Sequence, residues 1–331
     1  AHFLEHTMFQ VGGIDVFDVF AARGAAANAF TTFGSTSYLF TCTDRFDANL
    51  RTLMETLSAL DADEATIARE KRIIGQEIAM YADDPSWRGY FNLMQALYRR
   101  HPLRLDIAGT DASIAGLDRE LLHRVQQAFY HPRNLILTVA GDVDPARVLE
   151  LADDVLRPRR PGGRHRRSLV AEAAGVRRRF VAEPLSVSRP HVFLGIKEPA
   201  PGRGRRLAAY HVHTAMVLEL LFGDGGRIEA PLYREGVVDD SLAAGVEAEA
   251  DYAHAVLSAE VDDAALFQRR IESALSATAA VPPGPEEIER VRRKARGQHL
   301  RTFNSPEATA HWLLGQVIDD LPLDARTRAM E

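Results

Sequence analysis

The chain has 331 residues, which is enough for about two domains that each bury a core of their own. Its 46% hydrophobic and 26% charged residues are typical of a globular protein and exclude a disordered or fibrous chain. The net charge of −6 gives no global reason to expect nucleic acid or an anionic membrane as a partner. The single cysteine, Cys42, excludes a disulfide framework and a cysteine-based zinc cluster, and it agrees with a cytoplasmic location.

The first third of the chain is predicted to contain helices around one β-hairpin. Residues 1–10 and 16–24 read as helices, and residues 25–43 read as two strands that turn back on each other. Residues 45–60 and 64–82 repeat apolar side chains at three- and four-residue spacing, so we expect two further helices there. No apolar run approaches the roughly 18 residues that a membrane span needs, so no membrane partner is expected.

The middle of the chain is predicted to close a first domain. A helix over 116–129 is followed by a strand over 134–143 and by a helix that starts near Pro145. Residues 157–168 combine Arg, Pro and Gly without hydrophobic periodicity, which is typical of a solvated linker. We therefore expect a first domain at 1–156 and a second at 169–331.

The second half repeats the order of the first in outline. Residues 176–184 and 189–197 are predicted as strands. The further predicted elements are a helix at 206–222, a hairpin at 241–261, helices at 264–279 and 284–303, and a helical tail from Pro306. This order makes an internal duplication of one α/β unit plausible.

The opening residues contain a candidate metal-binding motif, H-x-x-E-H, formed by His2, Glu5 and His6. On a helix, where each residue advances about 100°, all three side chains face one way. Two imidazoles one turn apart can bind a single metal ion, and the carboxylate between them can take a proton from water. Glu5 is therefore the predicted general base.

A catalytic zinc needs a third protein ligand, and Glu77 is the candidate. It lies in the predicted helix at 64–82, where Ile73, Ile74 and Ile78 make that face apolar. A carboxylate on such a face requires a cation or a hydrogen-bond donor. Glu70, two turns earlier on nearly the same face, suits a role in orienting a ligating histidine, with an ordinary surface charge as the alternative.

Several segments together resemble the pitrilysin/insulinase family of zinc peptidases. Besides the H-x-x-E-H motif and Glu77, the stretch GAAANAFTTFGSTSYLF is similar to that family. The bacterial processing-protease branch is the most similar; the segments that carry this likeness are FLEHTMF, ANAFT, EKRIIGQEIAMYADDPSWR, HPLRLDIAGT, FYHPRNLILTVAGDVDP and NSPE. The similarity spans nearly the whole chain and keeps the order of the motifs.

The resemblance implies an α+β fold with two homologous α/β-layer domains, each a mostly antiparallel sheet covered by helices. Such a chain is a metallopeptidase half-clamp with one Zn²⁺ in its first domain. It pairs with a second half, as a homodimer or as a heterodimer with a homologous subunit that lacks the zinc motif. The resemblance also implies that strands precede residue 1 and that a helix and a strand follow Glu331, so we expect the chain to be incomplete at both ends.

The resemblance further assigns substrate contacts. A strand with an Asn-Ala pair lines the peptide in this family, which falls on Asn28, Ala29 and Phe30 and corresponds to β-augmentation by an extended substrate. Many relatives carry an Arg and a later Tyr for the oxyanion, but the matching stretch is PLYREGVVDDSL. Three alternatives stay open: Tyr233 or Arg234 replaces the missing residue, a partner chain supplies the contact, or turnover is slow.

The predicted function is a zinc-dependent endopeptidase that hydrolyses peptides or unfolded protein segments. The alternative is a non-catalytic subunit that binds peptide or a catalytic partner, against which the complete set of His2, Glu5, His6 and Glu77 argues. A nucleic-acid binder that acts through the arginine-rich linker has no supporting motif or aromatic platform. His101 and His131, each followed by Pro, are expected to be turn residues and not metal ligands.

Overall fold

The computed structural model describes residues 1–58, 60–156 and 168–331, which form two compact units. Unit 1 comprises Ala1–Ala82 and Leu105–Ser168, and unit 2 comprises Asp83–Arg104 and Leu169–Glu331. Residues 83–104 thus group with the second half, whereas the predicted first domain included them. All but the last residue of the predicted linker at 157–168 lies outside the described residues, so the linker stays a prediction.

Unit 1 is mainly helical and contains two short antiparallel hairpins. Its helices are α1 (His2–Met8), α2 (Val16–Ala21), α3 (Phe46–Ser58), α4 (Glu64–Ala82), α6 (Asp111–Ala115), α7 (Arg119–Phe129) and α8 (Pro145–Val155). Its strands are β1 (Gln10–Val11), β2 (Ile14–Asp15), β3 (Ala26–Thr31) and β4 (Thr36–Thr41). A single 3₁₀ turn at Pro132–Asn134 follows α7.

Helix α1 has two chemically different faces. Phe3, Leu4, Thr7 and Met8 are buried, and the three apolar ones pack against buried residues of α4, including Ile74. His2, Glu5 and His6, the residues of the motif, are not among the buried residues. Burial of the apolar face therefore leaves these three side chains together on the polar face of the helix.

Strands β3 and β4 pair in an antiparallel register that matches Asn28 with Leu39 and Thr31 with Thr36. Exposure alternates along β3, because Ala27 and Ala29 pack on the core of unit 1 while Asn28 is exposed. In the part of the chain that the structure describes, β3 pairs with β4 alone, so its other edge is open.

Unit 2 has a three-stranded antiparallel sheet in the order β5-β7-β6. The strands are β5 (His191–Glu198), β6 (Ala243–Glu249) and β7 (Tyr252–Glu260). The helices are α5 (Pro85–Leu97), α9 (Arg205–Phe222), α10 (Glu229–Arg234), α11 (Ala264–Ala279), α12 (Pro285–Thr302), α13 (Pro306–Ile318) and α14 (Ala325–Ala329), and a 3₁₀ turn lies at Pro102–Arg104. The core of the unit forms where α9 and α11 cover the sheet, with Phe267 and Leu257 at its centre.

The mixed fold, with small antiparallel sheets and many helices, confirms the predicted fold class. Two predicted strands were wrong, and one helix was not predicted. Residues 134–143 and 176–184 are not strands, because a strand requires a hydrogen-bonded neighbour and no described segment pairs with either stretch. Helix α5 was not predicted, although Asp84 caps its first turn by accepting hydrogen bonds from the backbone N–H groups of Ser86 and Trp87.

Candidate metal centre

His2 and His6 lie one turn apart on α1 and form an edge-to-face pair. Their ring centroids are 4.8 Å apart with an interplanar angle of 87°. Both side chains are partly exposed, at 14% for His2 and 22% for His6. The helical spacing predicted from the sequence therefore brings two imidazoles together at a position that an ion from solvent can reach.

Glu77 joins this pair from α4. Its Oε2 atom lies 3.5 Å from Nε2 of His2 and 3.4 Å from Nε2 of His6. Tetrahedral ligands placed about 2.0–2.1 Å from a zinc ion stand roughly 3.3 Å from one another. Within the described residues, this is the one group of three or more His, Cys, Asp or Glu side chains whose ligand atoms converge within 4.8 Å.

The donor set of two imidazoles and one carboxylate is a known ligand set of catalytic zinc, and three protein ligands leave a coordination position open. The spacing of the three atoms and their chemistry therefore fit the ion that the motif implies. Tyr81, one turn after Glu77, donates a hydrogen bond of 2.8 Å to Oε1 of Glu77. This bond engages the oxygen that faces away from the histidines and leaves Oε2 directed at them.

Glu70 lies beside His6, next to one of the two histidines as its position on α4 predicts. Its Oε2 atom lies 3.5 Å from Nδ1 of His6, and its side chain is only 4% exposed. Arg69 contacts the other carboxylate oxygen through Nε at 3.2 Å. Burial raises the pKa of Glu70, but the contacts with His6 and Arg69 outweigh it, so the net pKa is lowered and the carboxylate stays ionised.

The two histidines experience opposite electrostatic effects. The hydrogen-bonding carboxylate of Glu70 raises the pKa of His6, with a further contribution from the charge of Glu77. Burial lowers the pKa of His2 more than Glu77 raises it. His6 is thus the histidine with a carboxylate near each ring nitrogen, Glu70 near Nδ1 and Glu77 near Nε2.

Glu5 lies between the two histidines in the sequence of α1, and its side chain contacts the hairpin of β3 and β4. Its Oε2 atom accepts a hydrogen bond of 2.5 Å from Oγ1 of Thr31, the last residue of β3. Burial raises the pKa values of Tyr38 and Tyr130 most, and the charge of Glu5 contributes to both shifts. The hydroxyl groups of the two tyrosines share a partly buried hydrogen bond of 2.6 Å. The structure therefore brings Glu5 to the same side of α1 as the candidate ligands.

A cleft of about 640 Å³ opens beside Glu5 and His6. It reaches Asn28 and Ala29 on β3 and the side chains of Phe17 and Ile73. Oδ1 of Asn28 accepts a hydrogen bond of 2.9 Å from the backbone N–H of Ala29. Two of the three residues predicted for substrate binding thus line the cleft, and Phe30 follows on the same strand with a 37% exposed ring.

The predicted oxyanion residues lie in unit 2, at the end of α10. The ring of Tyr233 is 49% exposed, and Nε of Arg234 donates to the carbonyl oxygen of Ala230 at 3.1 Å. Their role in catalysis stays a prediction.

Sequence reasoning missed Thr31 and Tyr81 as parts of the site. Tyr81 could have been found, because it lies four residues after Glu77 and therefore on the same face of α4. Thr31 carries no local signal, since its contact with Glu5 arises only when the hairpin packs against α1.

Unit 2 contains a second cluster of histidines, tyrosines and carboxylates, which is sealed from solvent. Oη of Tyr98 lies 2.9 Å from Nδ1 of His254. Nδ1 of His101 accepts the backbone N–H of Leu103 at 3.2 Å, and its Nε2 lies 3.3 Å from Oδ2 of Asp251. His101 is thus the turn residue that the sequence predicted, with the addition that its ring is buried.

Most of the chain is similar in sequence to known protein families and to individual known proteins. Residues 1–111 match the sequence profile described as "Insulinase (Peptidase family M16)", and residues 116–317 match the one described as "Peptidase M16 inactive domain". The chain is 34% identical over 326 residues to "Uncharacterized zinc protease YmfH" of Bacillus subtilis, covering 98% of this chain and 76% of that protein. It is 27% identical over 245 residues to "Uncharacterized zinc protease ML0855" of Mycobacterium leprae, of which it spans only 53%.

Solved structures show the same fold. The crystal structure of an M16-like peptidase from Alicyclobacillus acidocaldarius superposes with a TM-score of 0.87 at 27% identity, covering 99% of this chain and 79% of that one. A protease from Helicobacter pylori superposes with a TM-score of 0.83 at 18% identity, covering 100% of this chain and 83% of that one.

Among the described residues, no helix is both long enough and apolar enough to cross a membrane.

Proposed function

The chain belongs to peptidase family M16, the insulinase family, and from that membership we propose that it is a zinc-dependent endopeptidase that hydrolyses peptides or unfolded protein segments. One observation carries the proposal: Nε2 of His2, Nε2 of His6 and Oε2 of Glu77 converge beside Glu5. A purely structural cluster would not need a further carboxylate, that of Glu5, next to three convergent ligand atoms.

The proposed metal site holds one Zn²⁺ per chain through His2, His6 and Glu77. When bound, zinc would polarise the peptide carbonyl as a Lewis acid and would lower the pKa of a water molecule in the site. Glu70 holds the imidazole of His6 through Nδ1, which directs Nε2 toward the ion and increases its basicity.

Glu5 is the proposed general base. Its carboxylate takes a proton from the attacking water and later delivers it to the amine of the departing peptide half. One of its oxygens, Oε2, already accepts the hydroxyl of Thr31 and is therefore less basic, so we assign the proton exchange to Oε1.

The open edge of β3 is the proposed peptide-binding element. An extended substrate adds to Asn28, Ala29 and Phe30 through backbone hydrogen bonds, which gives affinity with little dependence on sequence. In the free protein the side chain of Asn28 satisfies the N–H of Ala29, and a substrate carbonyl would take its place. This exchange avoids leaving an unpaired backbone donor in either state.

A partner is proposed to complete the site. The chain associates with a second copy or with a homologous subunit that lacks the zinc motif, and that partner or Tyr233 and Arg234 of unit 2 stabilises the oxyanion. Light scattering measures the oligomeric state, and an activity assay at nanomolar concentration measures whether the monomer suffices. A strictly monomeric protein that is fully active at nanomolar concentration would contradict the proposal. We further propose a cytoplasmic location, which fractionation of cells expressing the natural protein would test.

The activity is tested with one protein substrate in two forms. We expect the purified chain to cleave an unstructured protein and to leave a folded, disulfide-linked form of the same protein intact, because only an extended segment can pair with β3. A chelator should abolish cleavage, and about one equivalent of zinc should restore it. Zinc-loaded protein that binds the unfolded substrate without cleaving it would contradict the proposal and would favour a non-catalytic peptide-binding subunit.

A further inference from the structure

Thr31 contacts Glu5 although the two residues belong to different elements. Its Oγ1 atom lies 2.5 Å from Oε2 of Glu5 and donates this hydrogen bond, because a carboxylate oxygen has no proton of its own to donate. The proton of the bond is therefore the hydroxyl proton of Thr31. Hydrogen bonds to an ionised acceptor are roughly twice as strong as neutral ones, so this contact restrains the carboxylate.

A second threonine stands behind the first. Thr36, the first residue of β4, is the cross-strand partner of Thr31, and the two Oγ1 atoms are 3.3 Å apart. A hydroxyl has one proton to donate, and that of Thr31 is used on Glu5. Thr36 must therefore donate to Thr31, which gives the chain Thr36 to Thr31 to Glu5 a fixed direction.

We propose that Thr31 and Thr36 are positioning residues that hold Glu5 in the rotamer in which its free oxygen can exchange a proton with water. The inference rests on the proposed function. A glutamate side chain has three rotatable bonds, and its freedom would move the carboxylate away from the reacting water. The hairpin supplies the restraint because the register of β3 and β4 places both hydroxyls at the end of the strands that meets α1.

Thr31→Val tests the role of the hydroxyl, because valine keeps the branched shape that strands favour and removes only the donor. We expect kcat to fall by about 10-fold to 100-fold with KM within about twofold of the wild type, as for an interaction that acts on the chemical step. Thr31→Ser should restore kcat to within about threefold, since it returns the hydroxyl. Thr36→Val should have a smaller effect in the same direction.

Thr32→Val is the matched control. Thr32 lies next in the chain, but its hydroxyl contacts Ser35 at 3.1–3.2 Å and not Glu5. Its removal should leave kcat unchanged. In a Glu5→Gln background, Thr31→Val should cause no further loss, because the group it positions is gone.

Crystal structures of the metal-free Thr31→Val and Thr31→Ser proteins give a readout that needs no activity. Glu5 should occupy more than one rotamer in the valine variant and a single one in the serine variant. A single unchanged Glu5 rotamer in Thr31→Val overturns the inference whether or not the protein cleaves peptides, as does a valine variant with wild-type kcat or a serine variant impaired as much as the valine one. Zinc-loaded wild-type protein that cleaves nothing would instead contradict the proposed function, and with it the catalytic part of this inference.

Discussion

The two units each contain a cluster of histidines and carboxylates, and the clusters differ in where their nitrogen atoms point. In unit 1, Nε2 of His2 and of His6 both face Oε2 of Glu77 at the border of an open cleft. In unit 2, His101 and His254 are 1% and 0% exposed, and their Nδ1 atoms are used by Leu103 and Tyr98. The same residue types thus form a convergent site in one unit and a structural network in the other.

A metal site thus depends on the convergence of ligand atoms and on access for an ion, and not on residue composition alone. The two histidines of unit 2 are buried and belong to no convergent group of ligand atoms among the described residues, so they offer no position for an ion. In unit 1, two imidazole nitrogens and a carboxylate oxygen approach one another, and their lone pairs favour a cation between them. The two clusters should therefore respond differently to substitution, metal and pH.

Removal of a proposed ligand should have the largest effect. Glu77→Ala or His6→Ala should lower bound zinc from about one per chain to near zero after dialysis, because three protein ligands leave none to spare. His191→Ala in unit 2 is the control, since this histidine also faces a carboxylate, Glu260, at 3.5 Å but belongs to no convergent group. Metal analysis checks both, and normal zinc content in Glu77→Ala would remove that residue from the site.

Glu5→Gln should separate chemistry from metal binding. The amide keeps the shape of the side chain but cannot accept a proton, so we expect kcat to fall by about 10²-fold to 10⁴-fold with zinc content unchanged. Hydrolysis of an unstructured protein together with metal analysis measures both quantities. Cleavage near the wild-type rate would show that another group is the base.

The buried cluster of unit 2 should respond to acid. Burial lowers the pKa of His254 to about 4, with a further contribution from the nearby His101. Tyr98 and Asp251 complete the buried cluster, and the partly exposed carboxylate of Glu247 lies 3.9 Å from Nε2 of His254. Because the unfolded histidine titrates near 6.5, the unfolded chain binds the proton first as the pH falls. Unit 2 should therefore lose stability between pH 6.5 and 4, by up to roughly 3 kcal/mol.

Both tryptophans of the chain, Trp87 and Trp312, belong to unit 2, so their fluorescence reports its unfolding. Urea titrations at pH 7 and pH 4.5 should show the loss in the wild type and a smaller loss in His254→Gln. An identical loss in both proteins would mean that other groups carry the acid sensitivity.

Glu70→Gln should have the smallest effect on the metal site. The amide cannot hold the Nδ1 proton of His6 as a carboxylate does, and loss of such a partner weakens metal binding by about 10-fold to 100-fold. Competition with a chelating dye measures the zinc affinity. Glu64→Gln, at the exposed start of the same helix, should leave it unchanged.

The sequence predicted the elements whose pattern is local. The H-x-x-E-H spacing predicts α1, and the spacing of apolar residues predicts α4. Once these two helices pack together, His2, His6 and Glu77 lie close to one another. Helix α5 is not predicted by apolar spacing, although Asp84 and Pro85, just after the end of α4, form a good helix start.

Contacts between distant segments could not be predicted from one sequence. Thr31 reaches Glu5 across 26 positions, and Tyr98 reaches His254 across 156, with no periodicity to announce either pair. The stretch at 135–140 shows the converse: β-branched and apolar residues favour a strand, but a ladder requires a partner that the local pattern does not reveal.

Zinc-edge anomalous diffraction from crystals of the zinc-loaded wild-type protein would locate the metal. We expect one strong peak per chain, about 2.0–2.2 Å from Nε2 of His2, Nε2 of His6 and Oε2 of Glu77. A chain without a peak at these three atoms, or with its zinc in the buried cluster around His101 and His254, would contradict it.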